Sequence, residues 1–125
     1  MAQGISVDIK GVVGASSYLR LKEAGVKNRL KAGLKLAAIY LQGEVKLSIA
    51  GKKAEYKSVD TGHFLNSVDE KSNSDSATVW SGLPYAQKLE YGTNFKNSPR
   101  KHFRNSADRS KPAIRNILQK EINFI

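Results

Sequence analysis

The sequence predicts an α+β fold: a long N-terminal helix packed on a small antiparallel sheet with a β-hairpin, a short helix and a C-terminal helix. Three observations predict it. Apolar residues recur at three- and four-residue steps through the first 50 residues, Val26, Leu30, Leu34, Ala37, Leu41 and Val45 forming one helical stripe. Two short segments rich in β-formers then flank a run of Ser, Asn and Asp, the signature of a hairpin. A second amphipathic pattern closes the chain, with Phe103, Ala107, Ile114, Ile117, Leu118 and Ile122 on one side.

Each element has its own local reason. Ile5, Val7 and Ile9 alternate with Ser6, Asp8 and Lys10, the period of a half-buried strand. Gly11 and Gly14 break it, and Ser16 or Ser17 is placed to cap a helix. The composition stays helical to about Ile49, and Gly25 divides this stretch into a short helix and a long one. Leu36, Ile39, Tyr40 and Leu47 widen the stripe, which predicts cover on more than one side. Gly33 costs roughly 1 kcal/mol against alanine in a helix interior, so a close packing contact is expected there. Residues 50–60 are polar and lysine-rich and read as a mobile loop, as do 93–99.

Residues 64–70 and 77–82 read as the hairpin strands, with Val79 and Ser81 on one face and Thr78 and Trp80 on the other. The separator, residues 72–76, is turn chemistry because Asn, Asp and Ser side chains bond nearby backbone. Pro84 fits the first turn of a helix, where its missing N–H costs nothing, and Gly92 is placed to end that helix. In the last pattern Pro112 predicts either a kink or a fresh helix start.

The chain has 125 residues, one domain's worth, enough to bury roughly two-thirds of its unfolded surface. It holds no cysteine, which excludes disulfides, thiolate catalysis and cysteine-ligated metal. No stretch approaches the ~20 apolar residues of a membrane span, and residues 1–10 do not read as an export signal, so a soluble protein is expected. The 21 Lys and Arg outnumber the 11 Asp and Glu for a formal charge of +10, which favours polyanions or acidic protein surfaces. The basic residues are spread along the chain. Their densest group, Arg100, Lys101, Arg104, Arg109, Lys111 and Arg115, lacks the interleaved aromatics on which single-stranded nucleic acid stacks.

No residue constellation points to catalysis. His63 and His102 sit in unrelated contexts and read as turn or surface residues, with no metal-ligand spacing around them. No serine lies in a Gly-x-Ser-x-Gly elbow, and the glycines make no phosphate-binding loop. Asp69 and Glu70 adjoin on a strand and so point to opposite faces. Glu90 alone is set among aromatic and apolar neighbours, where pairing with Arg104 or capping of a backbone group is expected. No enzyme and no cofactor is predicted.

Three blocks remain. Thr61-Gly62-His63-Phe64-Leu65-Asn66-Ser67 reads as a glycine turn feeding a strand, Gly62 supplying a positive φ or a close approach. In Tyr85-Ala86-Gln87-Lys88-Leu89-Glu90-Tyr91-Gly92-Thr93, Ala86 and Leu89 fall on one helical face with Tyr85 beside them. In Arg100-Lys101-His102-Phe103-Arg104-Asn105-Ser106-Ala107, Phe103 plugs the core where the last helix begins.

In this order the blocks resemble the neck and tail-completion (head–tail joining, minor tail component) family of long-tailed bacteriophages. The matching positions are Thr61, Gly62, Leu65 and Ser67, then Tyr85, Ala86, Glu90, Tyr91, Gly92 and Thr93, then Phe103 and Ala107. The opening Ile9-Lys10-Gly11 before a long helix is also similar. The resemblance implies a structural virion protein found at the head–tail junction, and in the host cytoplasm during assembly. It implies a homo-oligomeric ring whose partners are the head-completion or connector protein and the tail-tube or terminator protein, with a passing contact to genomic DNA. Lys52, Lys53, Lys57, Lys96, Arg100, Lys101 and Arg104 are then the basic candidates for docking or for facing DNA. Two alternatives stand beside it: a tail-terminator ring subunit, and a basic nucleic-acid-binding module.

Overall fold

A computed structural model of the chain describes residues 4–24, 27–53, 62–73, 76–91 and 101–123. The elements run β1 (Ile5–Asp8), α1 (Ile9–Val13), α2 (Ala15–Ala24), α3 (Lys27–Ile49), α4 (His63–Ser67), β2 (Asp69–Ser72), β3 (Ala77–Ser81), α5 (Pro84–Tyr91) and α6 (His102–Asn123). This is the α+β plan read from the sequence. The expectations for Gly25 and Val26 and for residues 54–61, 74–75 and 92–100, both loops in large part included, lie outside the described residues.

The sheet is antiparallel in the order β1-β3-β2, with β3 in the middle. Its pairing runs from Ile5↔Ser81 to Asp8↔Thr78 on one side and from Asp69↔Trp80 to Ser72↔Ala77 on the other. The hairpin turn is held by Asn73, whose Oδ1 accepts the Ser76 N–H (2.8 Å) while its own N–H bonds the Ser76 carbonyl (2.9 Å). Ala77, Val79 and Ser81 are buried, and Thr78 and Trp80 take the outer face. The strand period was therefore read in the correct register.

Two helices supply most of the core. In α3 Leu30, Leu34, Ala37, Leu41 and Val45 are buried, packed against Phe103, Ile114 and Leu118 of α6 and Val79 of the sheet. Gly33 lets the two long helices close up: a Cβ there would lie 3.2 Å from Leu118 Cδ2 and 3.3 Å from Glu121 Cβ. α6 runs through Pro112 without a break. None of the described helices is long and apolar enough to cross a membrane.

Four expectations need correction. Ile9 opens α1 instead of ending the strand: the pairing stops at Asp8↔Thr78, and Ile9 turns into the core, fully buried. Gly11 lies inside α1, and Gly14 (φ 90°, ψ 143°) makes the break before α2, so Ser16 and Ser17 fall within α2's first turn and do not cap it. Residues 63–67 are helical, since Gly62 in the left-handed region (φ 80°) accepts the Asn66 N–H at 2.9 Å and reverses the chain; the strand starts only at Asp69. Finally, Leu36, Ile39, Tyr40 and Leu47 are exposed. α6 and the sheet cover one side of α3, and among the described residues nothing covers the other.

Candidate functional site

The three motif blocks meet. α4 ends on Ser67, whose hydroxyl donates to the Phe64 carbonyl (2.6 Å) and lies 2.7 Å from Ser81 Oγ at the end of β3. Ser81 Oγ also receives the Leu83 N–H (3.4 Å), and the Leu83 carbonyl receives the Ala86 N–H (3.1 Å) in the first turn of α5. One directional arrangement satisfies every hydroxyl in turn, from Leu83 N–H through Ser81 and Ser67 to the Phe64 carbonyl. Block one is thereby tied to the start of block two.

Glu90 ties the end of block two to block three. Its carboxylate is 1% exposed and reaches the N-terminus of α6, where the first four N–H groups of a helix lack intrahelical partners. Oε1 accepts the Phe103 N–H (3.0 Å) and Oε2 the Arg104 N–H (2.8 Å). Oε2 also accepts Arg104 Nε (3.1 Å), while Arg104 Nη2 donates to the Glu90 carbonyl (2.6 Å). The guanidinium lies over the Tyr91 ring, 4.4 Å from its centroid. Pairing with Arg104 and backbone capping, the two alternatives for Glu90, are realised together. A buried carboxylate is costly unless every lone pair finds a donor, and here two backbone N–H groups, a guanidinium and the positive end of a helix dipole supply them.

His102 closes the circuit. Its Nδ1 is 2.7 Å from Ser48 Oγ near the end of α3, and its ring meets Phe64 of block one edge-on, centroids 6.1 Å apart at 63°. The side chain is fully buried, which corrects the surface reading. It is the first residue of α6, and the same packing that buries Phe103 carries its neighbour between α3 and α4.

Of the predicted residues, Gly62, Leu65, Ser67, Ala86, Glu90, Tyr91, Phe103 and Ala107 fall on this assembly of α4, α5 and α6, Ala86 and Phe103 being fully buried. Tyr85 lies in α5, its side chain outside the described set, and Thr61, Gly92 and Thr93 lie outside it altogether. Among the basic candidates Lys52 and Lys101 are exposed. Lys53 pairs with Glu44 (3.2 Å), and Arg104 is engaged by Glu90 and Tyr91. Lys57, Lys96 and Arg100 are outside the description. Sequence reasoning missed His102, Ser48 and Ser81; only His102 carried a signal, its place directly before a core phenylalanine.

The polar atoms of this assembly are occupied by backbone groups and by one another, and the described residues hold no cluster of three or more His, Cys, Asp or Glu that could bind a metal ion. A shallow depression on the outer sheet face is lined by Ser6, Asp8, Lys71, Thr78 and Trp80. There Thr78 Oγ1 donates to Asp8 (3.1 Å) and Lys71 Nζ sits 5.6 Å from the centre of the Trp80 ring. No protein-family model, no curated protein and no solved structure matches the chain.

Proposed function

We propose that this chain is a structural subunit of a tailed-phage virion, a neck or tail-completion protein that forms a ring at the head–tail junction and lets heads and tails join. One observation carries the reading. The three blocks on which the resemblance rests form a single connected set of contacts, Ser67 through Ser81 and Leu83 to Ala86, Glu90 to Phe103 and Arg104, and His102 back to Phe64. Their side chains are used to hold α4, α5 and α6 in register, a framework's task.

The Glu90 clamp also joins the two ends of the 92–100 segment, because Tyr91 and Lys101 flank it. In this reading the docking elements are the two polar loops, residues 50–60 and 93–99, which carry Lys52, Lys53, Lys57 and Lys96, with Arg100 beside the second. Basic residues there meet acidic partner surfaces and orient association more than they add affinity. Particles assembled without the protein will show separate heads and tails by electron microscopy. Normal virions from that mutant would overturn the proposal, and a tail-end defect on joined-length tails would move it to the terminator position.

The +10 charge supports a second reading, a nucleic-acid-binding module. Among the described residues Arg104, Lys35 and Lys53 each pair with a carboxylate, Glu90, Glu70 and Glu44, which leaves the net excess as it is, and Arg115 Nη2 donates to the Val13 carbonyl (3.3 Å). A tight complex between the free subunit and DNA, weakening steeply with salt, would favour this second reading.

A further inference from the structure

The outward side of α3 is an apolar stripe about four turns long. Ala32, Leu36, Ile39, Tyr40, Gly43 and Leu47 are all exposed and follow one another at helical spacing over ~22 Å. Leu36, Ile39, Tyr40 and Leu47 are 46%, 47%, 38% and 42% exposed, four of the six large apolar side chains exposed among the described residues. No charged residue lies on the line of the stripe, in a chain where 26% of residues are charged. Together they offer on the order of 300 Å² of apolar surface, the size at which an exposed patch on a monomer is commonly functional. Gly43 sits within it, and a Cβ added there would meet no atom of the described residues within 4 Å. Glycine in a helix interior with no packing neighbour among the described residues is destabilising by itself, and a close approach from outside is a reason to keep it.

The spacing selects the occupant. A two-fold interface requires a patch that is its own complement. When two copies of α3 run antiparallel about a point between Leu41 and Gln42, Leu36 faces Leu47 of the other copy and Tyr40 faces Gly43. Large side chain meets bare backbone, and leucine meets leucine, each pair occurring twice. The charges beside the stripe are largely balanced within the subunit, Lys35 by Glu70 and Glu44 by Lys53, leaving Lys46 as the main flanking charge. The geometry points to a second copy of this chain, docked antiparallel along α3 in a two-fold pair. About 600 Å² of apolar surface from the two copies, widened by its polar margins, is less than the ~1,200 Å² at which standard specific interfaces begin, and gives a weak, reversible dimer. The pair goes beyond the neck reading and does not depend on it, because a two-fold contact closes on itself and builds no ring alone.

Sedimentation velocity on the full chain, from about 10 μM to 1 mM, tests this. The sedimentation coefficient will rise from monomer to dimer with concentration, and the dimer will strengthen from 50 to 500 mM NaCl as the repulsion between two +10 subunits is screened. A monomer throughout, or association that weakens with salt, overturns the proposal. Gly43→Gln and Tyr40→Ala will each weaken the dimer at least tenfold, while Gly43→Gln raises the urea midpoint of the monomer. A dimer unchanged in both variants removes α3 as the interface. Register is read separately, the chain having no cysteine of its own. A mixture of Leu36→Cys and Leu47→Cys chains will cross-link on oxidation faster than either variant alone. Equally fast linking of Leu36→Cys with itself would overturn the antiparallel pairing, which separates those positions by about 16 Å.

Discussion

Removing the Glu90 carboxylate takes the acceptor from three donors at once, the N–H groups of Phe103 and Arg104 and the Nε–H of the Arg104 guanidinium, whose Nη2 keeps the Glu90 carbonyl. Glu90→Ala is expected to cost about 2–4 kcal/mol, the range for breaking a buried, hydrogen-bonded charge. Glu90→Gln keeps the shape and one acceptor oxygen and will cost less. Arg104→Ala will cost about 1 kcal/mol, since that side chain is 39% exposed and water replaces part of what it loses. Urea denaturation of the three variants checks the order; equal losses for Ala and Gln at position 90 would mean that the carboxylate is not what holds α6. Gly62→Ala probes the other end of the assembly. A Cβ there would make only ordinary contact with Asn66 (3.7 Å), so its cost, about 1–2 kcal/mol, comes from the left-handed backbone alone. Asparagine, which tolerates that conformation, will recover part of the loss in thermal melts. Glu90 was legible because a lone acid among apolar neighbours needs a partner and Arg104 lay nearby in sequence. His102 was not, since its partner Ser48 is 54 residues away and no local pattern reports such a distance.

At the scale of elements, α3 holds two glycines that the same propensity scale would treat alike. Gly33 faces Leu118 and Glu121 across a tight contact, and a Cβ at Gly43 would meet none of the described residues. Gly43→Ala will therefore stabilise the fold by about 0.5–1 kcal/mol, whereas Gly33→Val will destabilise it by about 1–3 kcal/mol by forcing α6 away. Chemical denaturation of the pair reads the difference directly; a shared sign would refute the packing account of Gly33. The inner stripe of α3 was fully legible in the sequence, because a 3.6-residue period shows which faces are apolar. What covers each face is not encoded in the period, which is why the outer stripe was assigned a cover that the described residues do not provide. β2 was misplaced for a different reason. Its Asp-Glu-Lys-Ser holds no β-former, and it is a strand only because β3 lies beside it, while the apolar Phe64 and Leu65 just before it belong to a helical turn set by Gly62.

For the whole molecule the governing quantity is a charge of +10 on a small core built from two long helices and three strands. Two effects of salt on folding oppose each other. The exposed Lys35–Glu70 and Lys53–Glu44 pairs weaken as salt is added, but surface pairs of this kind contribute only about 0.2–1 kcal/mol each. Repulsion among ten uncompensated positive charges acts over the whole surface and is screened within a Debye length, about 30 Å at 10 mM and about 8 Å at 150 mM salt. The compact state concentrates that repulsion more than the unfolded chain does, so its relief should prevail. The urea midpoint will rise between 10 and 300 mM NaCl, by an amount on the order of 1 kcal/mol of stability. The Glu90 clamp, nine-tenths shielded or more on its acidic side, should contribute little to the salt dependence, so Glu90→Gln will show the same slope as the parent from a lower starting value. A midpoint that falls with salt would assign the balance to the surface pairs. It would also mean that the excess basic charge is already spread widely enough to be carried without cost to the fold.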